Sequence, residues 1–164
     1  MNDWPPLLWP KHTIVYTDGS RCPNRSLSSS AVYIPILNIS KTWSLFPSTS
    51  IFTAELIAIE KALELLYSLD RQDIDIFSDS SSALQSICNF HVPNPIILDI
   101  ISIIANFRSS GSKITIYRIP SHIGITGNES VDKLATDALN QTSNSQILQH
   151  LIFPRTNCRV RALW

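Results

Sequence analysis

Apolar and polar positions in the first part of the chain predict a strand followed by a loop. The run at 13–17 is β-branched and aromatic, and it stops at Asp18-Gly19-Ser20, which is a turn signal. Residues 21–30 are mostly polar and include Pro23, which favours a loop. The regular structure is therefore predicted to begin with a strand that ends at an acidic residue.

A hairpin and a series of helices follow. Apolar runs at 31–37 and 42–46 flank Asn38-Ile39-Ser40 and predict a hairpin, with Pro35 marking an irregular or edge strand. From residue 53 the apolar spacing becomes helical. The later elements are predicted as a helix over 53–69, a strand over 74–77, helices over 81–89 and 95–108, a strand over 114–119 and a helix over 128–140. Asn94 and Asn128 are the expected caps of the last two helices. This order of elements predicts an α/β protein with helices packed on a mixed sheet.

Composition adds an expected domain boundary and an expected cellular environment. The chain has 164 residues, of which 44% are hydrophobic and 16% charged, which suits one globular domain and excludes a disordered chain. We expect an extended arm over 1–10, a domain over 11–140 and a linker and tail over 141–164. The densest apolar stretch, 96–104, is too short to span a bilayer. The start of the chain lacks the pattern of a signal peptide, and the three cysteines are widely spaced. We therefore expect an intracellular protein, cytoplasmic or nuclear, with no membrane partner.

Net charge restricts the partners. Lys and Arg number 13, as do Asp and Glu, so the formal net charge is zero. Dedicated nucleic-acid binders usually carry a basic excess. Any binding to nucleic acid is thus expected to be weak, local or assisted by metal ions.

Glu55 is an acidic residue in an apolar stripe of the first long helix. The stripe has helical spacing and consists of Leu56, Ile59, Ala62, Leu63 and Leu66. Glu60 and Glu64 are expected to project from the opposite face into solvent. Glu55 points into the stripe and, with Thr53 as the expected cap, lies in the first helical turn. Burying a lone carboxylate costs free energy, so it requires a cation or strong hydrogen-bond donors. The ordinary alternative is that Glu55 lies at the edge of the core, where water reaches it.

Three further acids lie at conspicuous positions. Asp18 and Asp79 each end a short strand and precede small residues, and acids at strand ends lie where α/β proteins bind ligands. Asp132 lies at the edge of the apolar stripe of the last helix. Taken singly, each has an ordinary interpretation as a turn or surface residue. Together they predict one acidic site, whose mutual repulsion would be relieved by hard divalent cations such as Mg²⁺. Two such ions would support phosphoryl transfer.

His122 lies in a loop ten residues before Asp132. A mobile imidazole there can move a proton or assist product release. A solvated loop histidine is the ordinary alternative, and His12, His91 and His150 are expected to have no such role.

Four sequence blocks resemble type I ribonuclease H, in the style of the domain carried by non-LTR (LINE-type) retrotransposons. They occur in the family's order within residues 11–140: IVYTDGS at 14–20, FTAELIA at 52–58, IFSDS at 76–80 and IPSHIGITGNESVDKLA at 119–135. The resemblance implies a five-stranded mixed sheet with helices on both faces. It also implies metal-dependent hydrolysis of the RNA strand of RNA/DNA hybrids, leaving 3′-hydroxyl and 5′-phosphate ends.

The resemblance assigns roles to individual residues. The metal-binding carboxylates are Asp18, Glu55, Asp79 and Asp132, holding two Mg²⁺ that Mn²⁺ can replace, and His122 is the catalytic-loop histidine. Gly19 and Ser20 would approach the RNA 2′-hydroxyls, and Ser50 would lie in a phosphate pocket.

The chain departs from the family pattern in two places. No glycine follows Gly19 in the polar segment 21–30, and residues 84–107 contain no Lys or Arg, so the basic segment that some members insert is missing. Weak, salt-sensitive binding by a monomer is therefore expected, with a reverse transcriptase domain, in the same chain or separate, supplying most of the affinity.

Three other functions compete with this hypothesis. The first is a catalytically inactive module of the same fold that serves binding or packing. The second is a phosphoacceptor signalling domain, which also carries acids at strand ends, although the early run of strands disfavours its alternating order. The third is a related metal nuclease or transposase, which usually lacks the histidine-loop block.

Overall fold

The computed structural model describes residues 12–70, 73–89, 94–140 and 147–148. Its centre is a mixed sheet of five strands, with a two-residue sixth strand at one edge. The strands are β1 (Thr13–Cys22), β2 (Leu27–Ile34), β3 (Ile39–Leu45), β4 (Ile74–Ser78), β5 (Ile114–Arg118) and β6 (Ile147–Leu148). They lie in the order β5-β4-β1-β2-β3-β6, with β1, β2 and β3 antiparallel and β4 and β5 parallel to β1. The five-stranded mixed sheet predicted from the sequence is confirmed.

The first hairpin replaces most of the predicted loop at 21–30. β1 continues to Cys22, a 3₁₀ turn spans Pro23–Arg25, and β2 begins at Leu27. The polar residues that suggest a loop are three buried serines of β2, each of which donates its hydroxyl to a backbone carbonyl. These bonds are Ser28 to Thr49 at 2.7 Å, Ser29 to Ala135 at 2.6 Å and Ser30 to Ala54 at 2.6 Å. A buried hydroxyl with such a partner is compatible with a central strand.

Four helices complete the domain: α1 (Ile51–Ser68), α2 (Ser81–Cys88), α3 (Pro95–Ser109) and α4 (Thr126–Ala138). α1 begins earlier than predicted because Ser50, rather than Thr53, is its cap; the Ser50 hydroxyl accepts from the Thr53 backbone N–H at 3.0 Å. Glu55 is consequently the fifth residue of α1 and lies in its second turn. Asn94 caps α3 as predicted, accepting from the Ile96 N–H at 2.9 Å. Asn128 does not cap α4, which starts two residues before it.

The helices pack on both faces of the sheet, as predicted. Alternation along β1 turns Val15 toward the α1 face and Tyr16 toward the α4 face. On the α4 face, the ring of Phe77 stacks on those of Tyr16 and Tyr117, with centroid separations of 5.4 and 5.1 Å. Tyr16 and Phe77 lie two residues before Asp18 and Asp79 along β1 and β4, so their rings pack on the sheet next to the acids.

One predicted surface residue is buried, and one histidine with no expected role contacts a buried acid. Glu60 is only 2% exposed, because α1 packs against α3 as well as against the sheet, and its carboxylate lies 3.8 Å from the ammonium of Lys61. His12 places Nδ1 2.7 Å from Oδ2 of Asp75, whose side chain is 1% exposed. This histidine therefore has a structural contact that its sequence context does not indicate.

The remaining predictions are compared with the described ranges. The hairpin of β2 and β3 is confirmed, with Pro35 in a 3₁₀ turn after β2 rather than within a strand. The predicted arm at 1–10 falls outside the described residues, as do His91, His150 and all of the tail at 141–164 except residues 147–148. Within the described ranges, no helix is long and apolar enough to cross a membrane.

Candidate active site

Three carboxylates from three different elements meet at one edge of the sheet. Asp18 belongs to β1, Glu55 to α1, and Asp79 follows the end of β4. One oxygen from each lies within 4.8 Å of the corresponding oxygens of the other two. Asp18 and Glu55 are buried, with exposed fractions of 6% and 7%, and Asp79 is partly exposed.

Strand register explains why Asp18 and Asp79 are neighbours. β1 and β4 are parallel, and Tyr16 pairs with Phe77. Two residues further along, each chain returns its side chain to the same face of the sheet. Asp18 and Asp79 therefore leave adjacent strands side by side at the same level.

Gly19 allows Glu55 to join the pair. A Cβ on Gly19 would lie 2.7 Å from the backbone nitrogen of Glu55 and 2.8 Å from the carbonyl carbon of Ala54. β1 and α1 thus approach so closely at this point that a side chain has no room. The same close approach places the Gly19 backbone where its hydrogen bonding lowers the pKa of both Asp18 and Glu55.

Burial and mutual repulsion outweigh that hydrogen bonding. Burial, followed by the charges of Asp79 and Asp132, raises the pKa of Asp18 to about 8. Burial, followed by the charges of Asp18 and Asp79, raises the pKa of Glu55 to about 9. Without a cation, the cluster cannot hold all of its charges near neutral pH.

The cluster has the properties of a divalent-cation site. All its ligand atoms are carboxylate oxygens, the donors that Mg²⁺ and Mn²⁺ prefer. Oε2 of Glu55 is buried and has no hydrogen-bond partner among the described residues. A cation would satisfy this atom and neutralise the repulsion that raises the pKa values, so the residues fit such an ion.

Asp132 and His122 lie on the solvent side of the cluster. Asp132 is outside the group of three, although its charge contributes to the raised pKa of Asp18 and Glu55. Its side chain is 41% exposed, and its Oδ2 lies 3.9 Å from Nδ1 of His122, which is 77% exposed. The His122 backbone has φ of +54°, a left-handed conformation within the turn before α4. The imidazole therefore has solvent access next to the acids.

The two serines suggested as substrate contacts differ in their surroundings. Ser20 lies two residues after Asp18 on β1, and its hydroxyl is 3.4 Å from that of Thr136 on α4. Ser50 is exposed at the start of α1, and its hydroxyl bonds to Thr53. Neither serine contacts the three clustered acids through a described hydrogen bond.

Asn128 is a member of the site that sequence reasoning missed. Its Nδ2 donates to Oδ2 of Asp79 at 3.2 Å, and the residue is 4% exposed. The spacing of four residues between Asn128 and Asp132 places both on one face of α4. That spacing is the signal in the sequence that could have identified it.

Comparison with known protein families matches residues 10–140 to RNase H. This match spans most of the chain and agrees with the order of strands and helices. The chain belongs to the RNase H family, a family of hydrolases that act on the RNA of RNA/DNA hybrids with divalent metals. A search of curated proteins finds no match.

Proposed function

We propose that this chain is an endoribonuclease that cuts the RNA strand of RNA/DNA hybrids by a two-metal mechanism, leaving 3′-hydroxyl and 5′-phosphate ends. The observation that supports this most directly is the convergence of Asp18, Glu55 and Asp79 within 4.8 Å in a chain of the RNase H family. The raised pKa of Asp18 and Glu55 also favours a site designed to receive cations.

The four acids have distinct proposed tasks. Asp18, Glu55 and Asp79 would hold Mg²⁺, or Mn²⁺ in its place, in the buried part of the site, and Asp132 would add a carboxylate ligand from the solvent side. When bound, the pair of ions supplies charge neutralisation at the scissile phosphate and lowers the pKa of the attacking water. The greater exposure of Asp132 suits a ligand that changes partners as substrate enters and product leaves.

His122 is proposed to move protons at the open side of the site. Its exposure and its 3.9 Å separation from Asp132 leave the ring free to turn between the carboxylate and solvent. A neutral histidine can accept a proton there, and a protonated one can donate to the departing 3′ oxygen. Its loop position supports a role in product release as well.

Recognition of RNA is proposed to use the end of β1. The backbone of Gly19 and the hydroxyl of Ser20 would bind ribose 2′-hydroxyl groups, which are absent from DNA. Ser50, at the start of α1, would bind a phosphate. Arg21 is exposed directly after Ser20 and adds a positive charge next to this strand.

The biological setting is proposed from sequence blocks and charge. The blocks in the style of non-LTR retrotransposons favour action beside a reverse transcriptase domain, in the cytoplasm or nucleus, by a monomeric domain. Zero net charge and the absence of Lys and Arg from 84–107 support weak binding by this chain alone. A polymerase partner would supply the missing affinity.

The test is cleavage of a labelled RNA/DNA hybrid with Mg²⁺ or EDTA. We expect wild-type protein to cut the RNA strand only with the metal, and Asp79→Asn to lose at least about 100-fold of the rate because one ligand charge is removed. Asp137→Asn, which removes the same charge from an exposed position on α4, should retain the rate. A folded protein that binds hybrid but cuts nothing with Mg²⁺ or Mn²⁺ would instead be the inactive binding module.

A further inference from the structure

Asn128 occupies the contact between the start of α4 and the end of β4. Its amide Nδ2 donates to Oδ2 of Asp79 at 3.2 Å. The residue is 4% exposed, and its Oδ1 is buried with no hydrogen-bond partner among the described residues. An apolar residue would avoid the cost of burying that oxygen. The described contact that offsets this cost is the hydrogen bond from the Asn128 amide to Asp79.

The backbone around Asn128 is held by close packing. Gly127 lies against the ring of Tyr16, and a Cβ on this residue would overlap the ring. Ile125 and Val131, on either side, are buried in the same apolar cluster as Tyr16. The amide consequently reaches Asp79 from a fixed base rather than from a mobile loop.

Asn128 and Asp132 lie four residues apart on α4, so this helix reaches both the buried acids and the solvent side of the site. Residues four apart on a helix lie on one face. α4 thus places a hydrogen-bond donor on one acid, Asp79, and presents another acid, Asp132, one turn away. A carboxylate with one oxygen held by an amide keeps a single orientation and retains its other oxygen for a ligand.

We propose that Asn128 is a positioning residue of the cation site, which holds Asp79 in its ligating orientation and fixes α4, and with it Asp132, relative to β4. This inference rests on the proposed function, in that it takes the acids as cation ligands. It assigns Asn128 no contact with the reacting atoms. Its effect should therefore appear first in the affinity for metal.

The experiment measures Mn²⁺ binding to the full chain in the absence of substrate, from the electron paramagnetic resonance signal of free Mn²⁺. Partners that orient metal ligands typically contribute about 10- to 100-fold to metal affinity. We expect Asn128→Ala to weaken Mn²⁺ binding by about that factor. Ser130→Ala is the matched control, because among the described residues the Ser130 hydroxyl bonds within α4, to the Thr126 carbonyl at 2.7 Å. It should bind Mn²⁺ as wild type does.

A double-mutant cycle separates positioning from a general structural effect. If Asn128 acts through Asp79, then Asn128→Ala should have no further effect on Mn²⁺ affinity in an Asp79→Ala background. Wild-type affinity in folded Asn128→Ala, or an undiminished effect in the Asp79→Ala background, would overturn the proposal. Folding is checked by thermal unfolding in EDTA, and if Asn128→Ala does not fold, Asn128→Ser, whose hydroxyl stops short of Asp79, replaces it in the cycle.

Cleavage measured in parallel keeps this inference distinct from the proposed reaction. Wild-type protein that binds Mn²⁺ in an Asn128-dependent manner but cuts no hybrid would contradict the nuclease function and support the role of Asn128. If cleavage depends on Mg²⁺ but Asn128→Ala leaves Mn²⁺ binding unchanged, the nuclease function is supported and the role of Asn128 is contradicted.

Discussion

At the scale of single residues, Asp18 and Glu55 favour different protonation states in the free protein and in the cation-bound protein. In the free protein, burial and neighbouring charges raise the pKa of Asp18 to about 8 and that of Glu55 to about 9, so the protonated form of these two carboxyls is favoured near neutral pH. In the bound protein, cations replace those protons, because carboxylate ligands must be deprotonated. Binding of metal should therefore release protons and strengthen as the pH rises.

The stability of the metal-free protein should fall as the pH rises from about 5 to 9. Both carboxyls have a higher pKa when folded than when unfolded, so the folded state binds more protons in this window. Their contribution is fully present below the unfolded pKa, near 4, and is lost as the pH passes the folded values of about 8 and 9. The slope should approach about 1.4 kcal/mol per pH unit for each group that titrates only on unfolding.

Urea unfolding in EDTA between pH 5 and 9 measures this dependence. Glu55→Gln removes one of the two titrating groups and should flatten the slope of unfolding free energy against pH. In the wild-type protein, Mg²⁺ added at pH 8 should restore the stability that is lost in EDTA. A metal-free stability that is constant or rises across this range would show that the two carboxyls are not protonated in the fold.

Gly19→Ala should damage both the fold and the site. The new Cβ would lie 2.7 Å from the backbone of Glu55, which cannot yield as a flexible side chain would. Overpacking of this kind typically costs about 1–3 kcal/mol, and displacement of Glu55 should lower cleavage at least about tenfold.

Gly111→Ala is the control for the glycine substitution. Gly111 has φ of +84° and open space around it, so the change costs about 1–2 kcal/mol in backbone strain alone. Unfolding and cleavage assays should show stability losses in both variants and an activity loss only in Gly19→Ala. Equal activity in the two would contradict the close approach of β1 and α1.

At the scale of elements, β2 is held by hydrogen bonds to the helices on both of its faces. Ser29 donates to Ala135 of α4 at 2.6 Å, and Ser30 donates to Ala54 of α1 at 2.6 Å. The two helices that carry Glu55 and Asp132 are thus fixed to one strand.

Ser29→Ala should lower the free energy of unfolding by about 1 kcal/mol, the usual contribution of a single buried hydrogen bond. Ser40→Ala, at an exposed position of β3, should change it by less than about 0.5 kcal/mol. Urea denaturation of both variants measures the difference. An equal effect of the two substitutions would mean that the buried bond contributes nothing.

The serines of β2 also show which parts of the secondary structure cannot be predicted from local sequence patterns. Helices α1 to α3 and strands β4 and β5 follow from apolar spacing and turn residues, because those signals are local. The serines of β2 read as a loop, since the carbonyls that satisfy them lie in distant helices. The start of α4 was misplaced for a related reason: Asn128 has the chemistry of a cap, but its amide is used by Asp79.

The residues of the candidate site also differ in whether local sequence patterns or contacts between distant elements determine their positions. Asp18, Glu55 and Asp79 could be expected at one sheet edge, since strand ends and helix faces can be inferred from periodicity. Their proximity and the burial of Glu55 match that expectation. The burial of Glu60, the Asp75 contact of His12 and the position of Asn128 depend on packing between elements, which no local pattern reveals.

At the scale of the whole molecule, charge is balanced overall but unevenly placed. The formal net charge is zero, and no basic residue occurs over 84–107. Arg21 and Arg25 are exposed on the hairpin that extends β1 beyond the acids, and the Arg25 guanidinium donates to Asn140 at 2.9 Å. β1 and the turn that follows it therefore carry exposed positive charge.

We expect few phosphate contacts in the complex with a hybrid, and hence weak binding that remains sensitive to salt. With about two to four contacts, affinity should fall about 10- to 100-fold between 50 and 200 mM salt. Arg21→Ala should weaken binding and reduce the slope of log Kd against log salt by about one, because one phosphate contact is lost. Arg108→Ala removes the same charge from the end of α3 and should leave both unchanged. Fluorescence anisotropy with labelled hybrid in EDTA measures these slopes. An identical slope for Arg21→Ala and wild type would place the hybrid away from the extended β1 hairpin, and the contacts that give affinity would then have to come from another surface of the protein.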